Sequence, residues 1–205
     1  MKTLLIPFFF LATLWASGQE RWWTETDRQY QVQNLKRTQE AIEKATAGLT
    51  EEQWQFRESP QRWSIAEIVE HLALWEIIFA REINLAMRNG PNPSLKQTCR
   101  TDSSYLNFIM EEKAHNAPDY ARPTGFIHGK DNIDFFRMRR QQAIAFVDST
   151  KADLRLYHEA VGGGVFRNVH QVLLVQWGHV DRHLRQIQQL KEHALFPKNT
   201  SVASE

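Results

Sequence analysis

Four long stretches of the chain repeat apolar residues at a spacing of three or four, the period of a helix with one buried face. They cover about residues 27–47, 64–90, 131–149 and 168–190. Residues that favour helix ends bound these stretches, such as Gly48 after the first. We therefore predict four amphipathic helices.

Two of these helices have recognisable starts. The segment Ser64-Ile65-Ala66-Glu67 matches a capping box, in which the side chains of Ser64 and Glu67 satisfy free backbone N–H groups of the first turn. Asn168 is placed to cap the fourth helix, and residues 50–54 are typical of a short capped helical turn. These polar residues set the expected beginnings of the helices.

Residues 91–130 form a connection that is too long for neighbouring helices of an up-and-down bundle. They contain four prolines and two glycines, and a short helix is predicted over Tyr105 to Lys113. A connection of this length suits a crossover between two parallel helices. We predict an all-α fold, a four-helix bundle with a long crossover between helices 2 and 3, and interpret Gly162-Gly163-Gly164 as a flexible connection before the fourth helix.

The N-terminus has a different pattern. Lys2 precedes an apolar run from Leu4 to Trp15, and Ala16-Ser17-Gly18 supplies the small residues that a signal peptidase reads. We interpret residues 1–18 as a signal peptide and the protein as secreted or periplasmic, without a membrane contact after cleavage. The alternatives are an uncleaved anchor or a buried N-terminal helix, but the run is short for a membrane span and Pro7 interrupts it.

Composition is typical of one globular domain. Hydrophobic residues make up 42% and charged residues 24% of the 205, and 25 basic and 24 acidic residues give a net charge of +1. No basic stripe indicates a nucleic-acid partner. We therefore predict a single domain over residues 19–205, with a helical core at about 27–192 and a disordered tail after about 196.

Two histidines stand four residues apart on the predicted fourth helix. His179 and His183 lie on the same side, because four residues turn a helix by about 400°, and this side is the apolar one. His71 occupies the centre of the apolar face of the second helix. One such histidine is usually a hydrogen-bonded core residue. Three buried imidazoles without partners would each cost a few kcal/mol, however, so a shared metal is the simpler interpretation.

Neutral imidazoles bind zinc, nickel, copper or ferrous iron, and three of them leave a coordination position open for water or substrate. Zinc in such a site lowers the pKa of bound water to about 7. A fourth protein ligand or a closed site would instead indicate a structural metal. The predicted cofactor is thus one divalent metal ion of undetermined identity.

Several of these residues together resemble a known family. Trp63, Ser64, Glu67, His71 and Leu72 form the pattern W-S-x-x-E-x-x-x-H-L, and after the crossover H-x-x-x-H is followed by L-x-Q-I. This order resembles the DinB-like family over about residues 27–192. The resemblance implies a down-up-up-down bundle and a metal triad of one histidine from helix 2 and two from helix 4. In this sequence, the residues that match this triad are His71, His179 and His183.

The resemblance also implies two kinds of activity. Some members are metal-dependent thiol S-transferases that use low-molecular-weight thiols, others are metal-dependent hydrolases, and many have no known activity. The thiol-using members work inside the cell, so the predicted export of this chain argues against the S-transferase activity.

Several polar residues near the histidines are candidate catalytic or substrate-contacting groups. Glu67 lies one turn before His71 and is either a second partner of the site, orienting His71 or acting as a base, or only the capping residue. Asp181 points away from both histidines of its helix. Gln176 and Gln186 lie within a turn of the pair and are candidates for substrate contact.

The remaining candidate side chains are interpreted as incidental. Cys99, the only cysteine, excludes an intramolecular disulfide and a C-x-x-C motif, and is either a reactive thiol or an unremarkable one. His128, in the crossover, is the one further histidine that can approach the site. The other histidines expected at the surface are His115, His158, His170 and His193.

Two hypotheses follow. The first is an exported enzyme, a hydrolase or group transferase that acts on a small molecule. The second is a non-catalytic metal-binding or interaction module on the same fold. Leu174, Trp177 and Leu184 widen the apolar surface of helix 4, which indicates either a homodimer or a cover formed by the crossover.

Overall fold

Four long helices carry the fold. In the computed structural model, which describes residues 22–113 and 115–198, they are α1 (Glu25–Thr46), α3 (Ile65–Arg88), α5 (Gly129–Ser149) and α6 (Val169–Glu192). A short helix, α2 (Glu51–Gln55), follows α1. The predicted signal peptide and most of the predicted tail lie outside the described residues. No helix in the described part is long and apolar enough to cross a membrane.

Helix starts follow the polar residues of the sequence. The side chain of Ser64 accepts a hydrogen bond from the backbone N–H of Glu67, and the Glu67 carboxylate accepts one from the N–H of Ser64, so the predicted capping box is confirmed. Asn168 and Gln171 form the same arrangement at α6. These bonds satisfy donors that the first helical turn leaves free.

Contacts between helices define the topology. On α1 and α6, the pairs Gln31–Trp177 and Arg37–Asp181 progress in the same direction, so the two helices are parallel. On α3 and α6, Glu82 contacts Arg167 just before α6, whereas His71 contacts His179 further along α6, so these helices are antiparallel. α3 and α5 are adjacent and parallel, and their connection is the long crossover. The down-up-up-down bundle is therefore confirmed.

The crossover from α3 to α5 contains its own helices. A 3₁₀ helix (Pro93–Thr98), α4 (Asp102–Met110) and a second 3₁₀ turn (Asp119–Ala121) interrupt it, so the short predicted helix begins three residues earlier than expected. α4 packs on α6 and contributes Tyr105 and Ile109 to the apolar cluster that contains Leu174. Leu174 is 1% exposed and Trp177 is 6% exposed. The wide apolar face of α6 is thus covered within the chain.

A small hairpin replaces the flexible connection predicted before α6. β1 (His158–Gly162) pairs antiparallel with β2 (Val165–Asn168). Gly163 and Gly164 form the two-residue turn with φ values of 59° and 75°, which is the backbone that such a hairpin requires and that glycine adopts without strain. The glycine run is therefore an ordered turn.

The core consists of two apolar clusters separated by a polar layer. One cluster includes Leu35, Phe79 and Val172, and the other includes Ile42, Leu72 and Val180. Between them, each long helix contributes one buried polar residue. These four residues, which we call the polar layer, are Thr38, Glu76, Arg140 and Gln176. The three candidate ligands lie next to this layer, where α3 faces α6.

Candidate metal centre

The structure brings the three predicted histidines together. His71 on α3 faces His179 and His183 on the antiparallel α6. Nε2 of His179 lies 3.2 Å from Nε2 of His71 and 3.0 Å from Nε2 of His183, and the candidate ligand atoms of all three are within 4.8 Å of one another. The side chains are buried, with His71 only 3% exposed. The i, i+4 spacing on α6 therefore presents two imidazoles to the one from α3.

Hydrogen bonds outside the cluster orient two of the imidazoles. Nδ1 of His71 lies 2.6 Å from the carbonyl oxygen of Ala121, and Nδ1 of His183 lies 2.8 Å from Oε1 of Gln186. Because both oxygens are acceptors, each Nδ1 carries the proton and each Nε2 keeps its lone pair. Nδ1 of His179 is buried and has no partner in the described part of the chain. Two lone pairs are therefore aimed at the third imidazole.

Burial keeps the three imidazoles neutral. It lowers the pKa of His71 to about 4, with partial compensation from the Ala121 carbonyl. It also lowers the pKa of His183 to about 3, helped by the nearby His71, and that of His179 well below its ordinary value. Neutral imidazoles are the form that binds metal. Three neutral nitrogen donors that converge in this way fit a divalent cation of the zinc, nickel or iron type.

An open cavity of about 640 Å³ lies above the three histidines. Aromatic side chains line its inner part: Trp63 lies 4.8 Å from His71 between ring centroids, and Trp75 lies 5.4 Å from His179. Charged and polar side chains also line the cavity. They include Glu58, Arg62, Glu82, His115, Arg122 and Gln186. Among the described residues, no fourth histidine, cysteine, aspartate or glutamate joins this candidate group, and all three of its histidines line the cavity.

Glu67 is not brought to this site. Its carboxylate accepts hydrogen bonds from the Ser64 backbone and from Arg57, at 2.9 and 2.8 Å, and it lines a second, smaller pocket. Its contacts are those of a capping residue. Glu70, three residues further along α3, is a buried acid that binds the part of the crossover beside His71. The sequence gives no signal for this contact, because its partners, Thr124 and Gly125, lie more than fifty residues away.

Of the other polar candidates near the histidines, only one contacts the site. Asp181 forms an ion pair with Arg37 on α1, away from the histidines, as its helical phase predicts. Gln186 lines the cavity and contacts His183. Gln176 does not line the cavity, and instead donates a hydrogen bond to Glu76 at 2.8 Å within the polar layer.

Two histidines expected at the surface are buried, so that prediction was wrong. His158 is 4% and His170 is 3% exposed. His170 accepts a hydrogen bond at Nδ1 from the indole N–H of Trp23, because the segment before α1 covers the start of α6. The spacing of apolar residues along α6 gives no sign that the side of the helix carrying His170 is also buried.

The remaining candidates lie at the edge of the cavity or outside it. His115 lines the cavity and pairs with Glu111. His128 occupies the N-cap position of α5 without a capping hydrogen bond from its side chain, and it lines the smaller pocket. His193 is half-buried just after α6. Cys99 is half-buried, and burial raises the pKa of its thiol, which favours the less reactive protonated form.

The comparisons with known proteins concern the family and the fold. A family model described as the DinB superfamily matches residues 34–187. YfiT from Bacillus subtilis, described as a probable metal-dependent hydrolase with an unusual four-helix bundle topology, is similar in structure with a TM-score of 0.55. The two are 13% identical, and the match covers 82% of this chain and 87% of YfiT, so it supports the fold. No curated protein sequence matches significantly.

Proposed function

Since this chain belongs to the DinB superfamily, we propose that it is a metal-dependent hydrolase whose metal is held by His71, His179 and His183. The observation that carries the proposal is the convergence of three neutral imidazoles at the floor of an open cavity. A three-histidine set that leaves coordination positions free on its cavity side is the arrangement of a catalytic site rather than of a closed structural one.

The residues of the chain have separate tasks in this proposal. The three uncharged imidazoles would hold a divalent ion, which would supply a Lewis acid and lower the pKa of water. His71 and His183 are held in the tautomer that leaves Nε2 free, by Ala121 and Gln186. Trp63 and Trp75 form apolar walls that exclude water from the inner cavity and accept the apolar part of a small-molecule substrate.

Hydrolysis is favoured over thiol transfer by two considerations. The structurally similar YfiT is described as a probable metal-dependent hydrolase. We also propose that residues 1–18 are a signal peptide and that the protein is secreted or periplasmic, where low-molecular-weight thiols are scarce. The support for export is the apolar run before Ala16-Ser17-Gly18.

The test measures metal and activity in the same preparation. Purified protein is expected to contain one equivalent of divalent metal by elemental analysis, and His179→Ala is expected to contain none. Zinc-, nickel- and iron-loaded protein is then assayed against panels of small esters, amides and phosphoesters. Metal-dependent turnover that chelation removes supports the hydrolase, whereas stoichiometric metal without turnover in any loaded form favours a non-catalytic module.

Export has its own test. Mass spectrometry of the protein from its native host is expected to give a mature chain that begins near Gln19. A chain that retains Met1 would contradict the signal peptide without affecting the metal site.

A further inference from the structure

Glu70 is a buried carboxylate that binds one loop of the crossover. It is 4% exposed and stands beside His71 on α3. Oε1 accepts hydrogen bonds from the backbone N–H and the hydroxyl of Thr124, at 2.8 and 2.7 Å, and Oε2 accepts one from the N–H of Gly125 at 2.8 Å. No lysine, arginine or histidine forms an ion pair with it in the part of the chain that the structure describes, so these three charge-assisted bonds stabilise the buried charge.

The same loop supplies the partner of His71. The carbonyl oxygen of Ala121, three residues before Thr124, lies 2.6 Å from Nδ1 of His71, and Ala121 is fully buried. Gly125 closes the loop with a φ of 71°, a conformation that favours glycine. Residues 121–125, which we call the clamped loop, are thus attached to α3 at two consecutive positions.

We propose that Glu70 is a positioning residue of the metal centre, acting on His71 through the clamped loop. This inference rests on the proposed function, in which His71 is a ligand. By holding Thr124 and Gly125, Glu70 fixes the Ala121 carbonyl against Nδ1 of His71, so that the imidazole proton stays on Nδ1 and the Nε2 lone pair faces the metal.

The other tautomer of His71 shows why the position of the Ala121 carbonyl matters. A neutral imidazole without this carbonyl can carry its proton on Nε2, where the proton would point at Nε2 of His179, only 3.2 Å away. Metal binding would then have to move that proton first. Loss of the clamp therefore weakens metal binding even where the bundle stays folded.

The experiment compares Glu70→Ala and Glu70→Gln with Glu67→Gln as the matched control. Glu67 is a carboxylate one turn earlier on the same helix, but it contacts Ser64 and Arg57 rather than the clamped loop. Zinc affinity is measured by competition with a chelator. The tautomer of His71 is read in metal-free protein from long-range ¹H–¹⁵N NMR spectra of histidine-labelled samples, a readout that a purely structural anchor would not change.

We expect wild type and Glu67→Gln to show His71 protonated on Nδ1 and the same zinc affinity. Glu70→Ala is expected to show a mixed tautomer and a zinc affinity lower by about 10-fold or more. Glu70→Gln is expected to fall between them, because its amide can accept from Thr124 but turns donors toward Gly125. If Glu70→Ala does not fold, Glu70→Gln decides.

Unchanged tautomer and affinity in a folded Glu70 variant would overturn this inference while leaving the metal site intact. Failure of wild type to bind zinc, nickel or iron would instead overturn the proposed function. The tautomer of metal-free His71 still distinguishes whether Glu70 orients it.

Discussion

Arg140 and Glu76 form a buried ion pair at the centre of the bundle. Nη2 and Nε of Arg140 on α5 lie 2.6 and 3.1 Å from the two carboxylate oxygens of Glu76 on α3, and the side chains are 0% and 2% exposed. Arg140 also donates to Thr38 on α1 at 2.7 Å, and Gln176 on α6 donates to Glu76. The polar layer therefore joins all four long helices, and its bonds can form together only when each helix has its observed neighbours.

Breaking this pair should be costly. Arg140→Met leaves the Glu76 carboxylate buried without a cation, and we expect the free energy of unfolding to fall by about 3–5 kcal/mol. The double variant Glu76→Leu/Arg140→Met should lose less than Arg140→Met alone, because no charge is left unpaired. Urea unfolding followed by circular dichroism measures both.

A surface arginine on the same helix as Arg140 provides the control. Arg137 contacts Glu43 and is 39% exposed at its side chain, so Arg137→Met should cost less than about 1 kcal/mol. Equal losses at the two arginines would show that the polar layer has no special role in stability.

The helical period was enough to find the three histidines but not the groups that orient them. His71, His179 and His183 stand on apolar helix faces, so spacing alone predicts that they point inward. The partner of His71 is a backbone carbonyl, Ala121, in an irregular crossover. A backbone acceptor has no residue type that a sequence pattern could reveal, and its position depends on how the loop folds against α3.

The sequence also does not predict that α6 is buried on more than one side. Amphipathic analysis assumes one buried face, whereas α1, α3 and α4 cover α6 on three sides. His170 and Leu174 are therefore both buried. The hairpin has no clear sequence signal either, because its strands are only five and four residues long and the glycines between them are equally typical of a flexible loop.

Removing a candidate ligand should stabilise the metal-free protein. His179 has an unpartnered Nδ1 in the described structure and two neighbouring Nε2 lone pairs. We expect His179→Leu to abolish metal binding and to raise the unfolding free energy of metal-free protein by about 1 kcal/mol. Chemical unfolding in the presence of a chelator tests this. A less stable metal-free variant would mean that the imidazole serves the fold.

Gln186 should influence metal affinity through His183. Gln186→Leu removes the acceptor of the Nδ1 proton, and we expect about 10-fold weaker zinc binding by chelator competition. Gln189→Leu is the matched control, because Gln189 also lines the cavity but forms no hydrogen bond to any of the three histidines in the described structure. Equal affinities in the two variants would contradict an orienting role for Gln186.

Glu82 should make stability depend on pH. Burial raises its pKa to about 7, against the opposing charge of Arg167. The folded state therefore retains a proton that the unfolded state releases near pH 4.5, so this contribution is complete below about pH 4.5 and is lost as the pH rises to about 7. The loss amounts to about 3 kcal/mol.

The glutamine of Glu82→Gln cannot ionise. Between pH 4.5 and 7 the wild type should therefore lose unfolding free energy relative to the variant, and above about pH 8 the difference between the two should stay constant. Urea unfolding at a series of pH values measures this difference. A difference that does not vary with pH would show that the ionisation of Glu82 is not coupled to folding.

Gly178 lets α4 approach α6 beside His179. A Cβ atom at this position would lie 2.7 Å from Cγ2 of Ile109, closer than side-chain atoms normally pack. Replacing glycine by alanine inside a helix otherwise gains about 1 kcal/mol. We expect the contact to outweigh this gain, so that Gly178→Ala lowers the unfolding free energy by about 1–3 kcal/mol.

The sign of that effect should depend on Ile109. Ile109→Ala alone should cost about 2–5 kcal/mol by leaving a cavity. In that background Gly178→Ala has room for its methyl group and should become stabilising, because the helix gain remains and the new Cβ fills part of the cavity. Thermal or urea unfolding of the two single variants and the double variant completes the cycle. If Gly178→Ala has the same effect in both backgrounds, the contact between α4 and α6 does not limit the size of residue 178, and the glycine must be explained by the backbone alone.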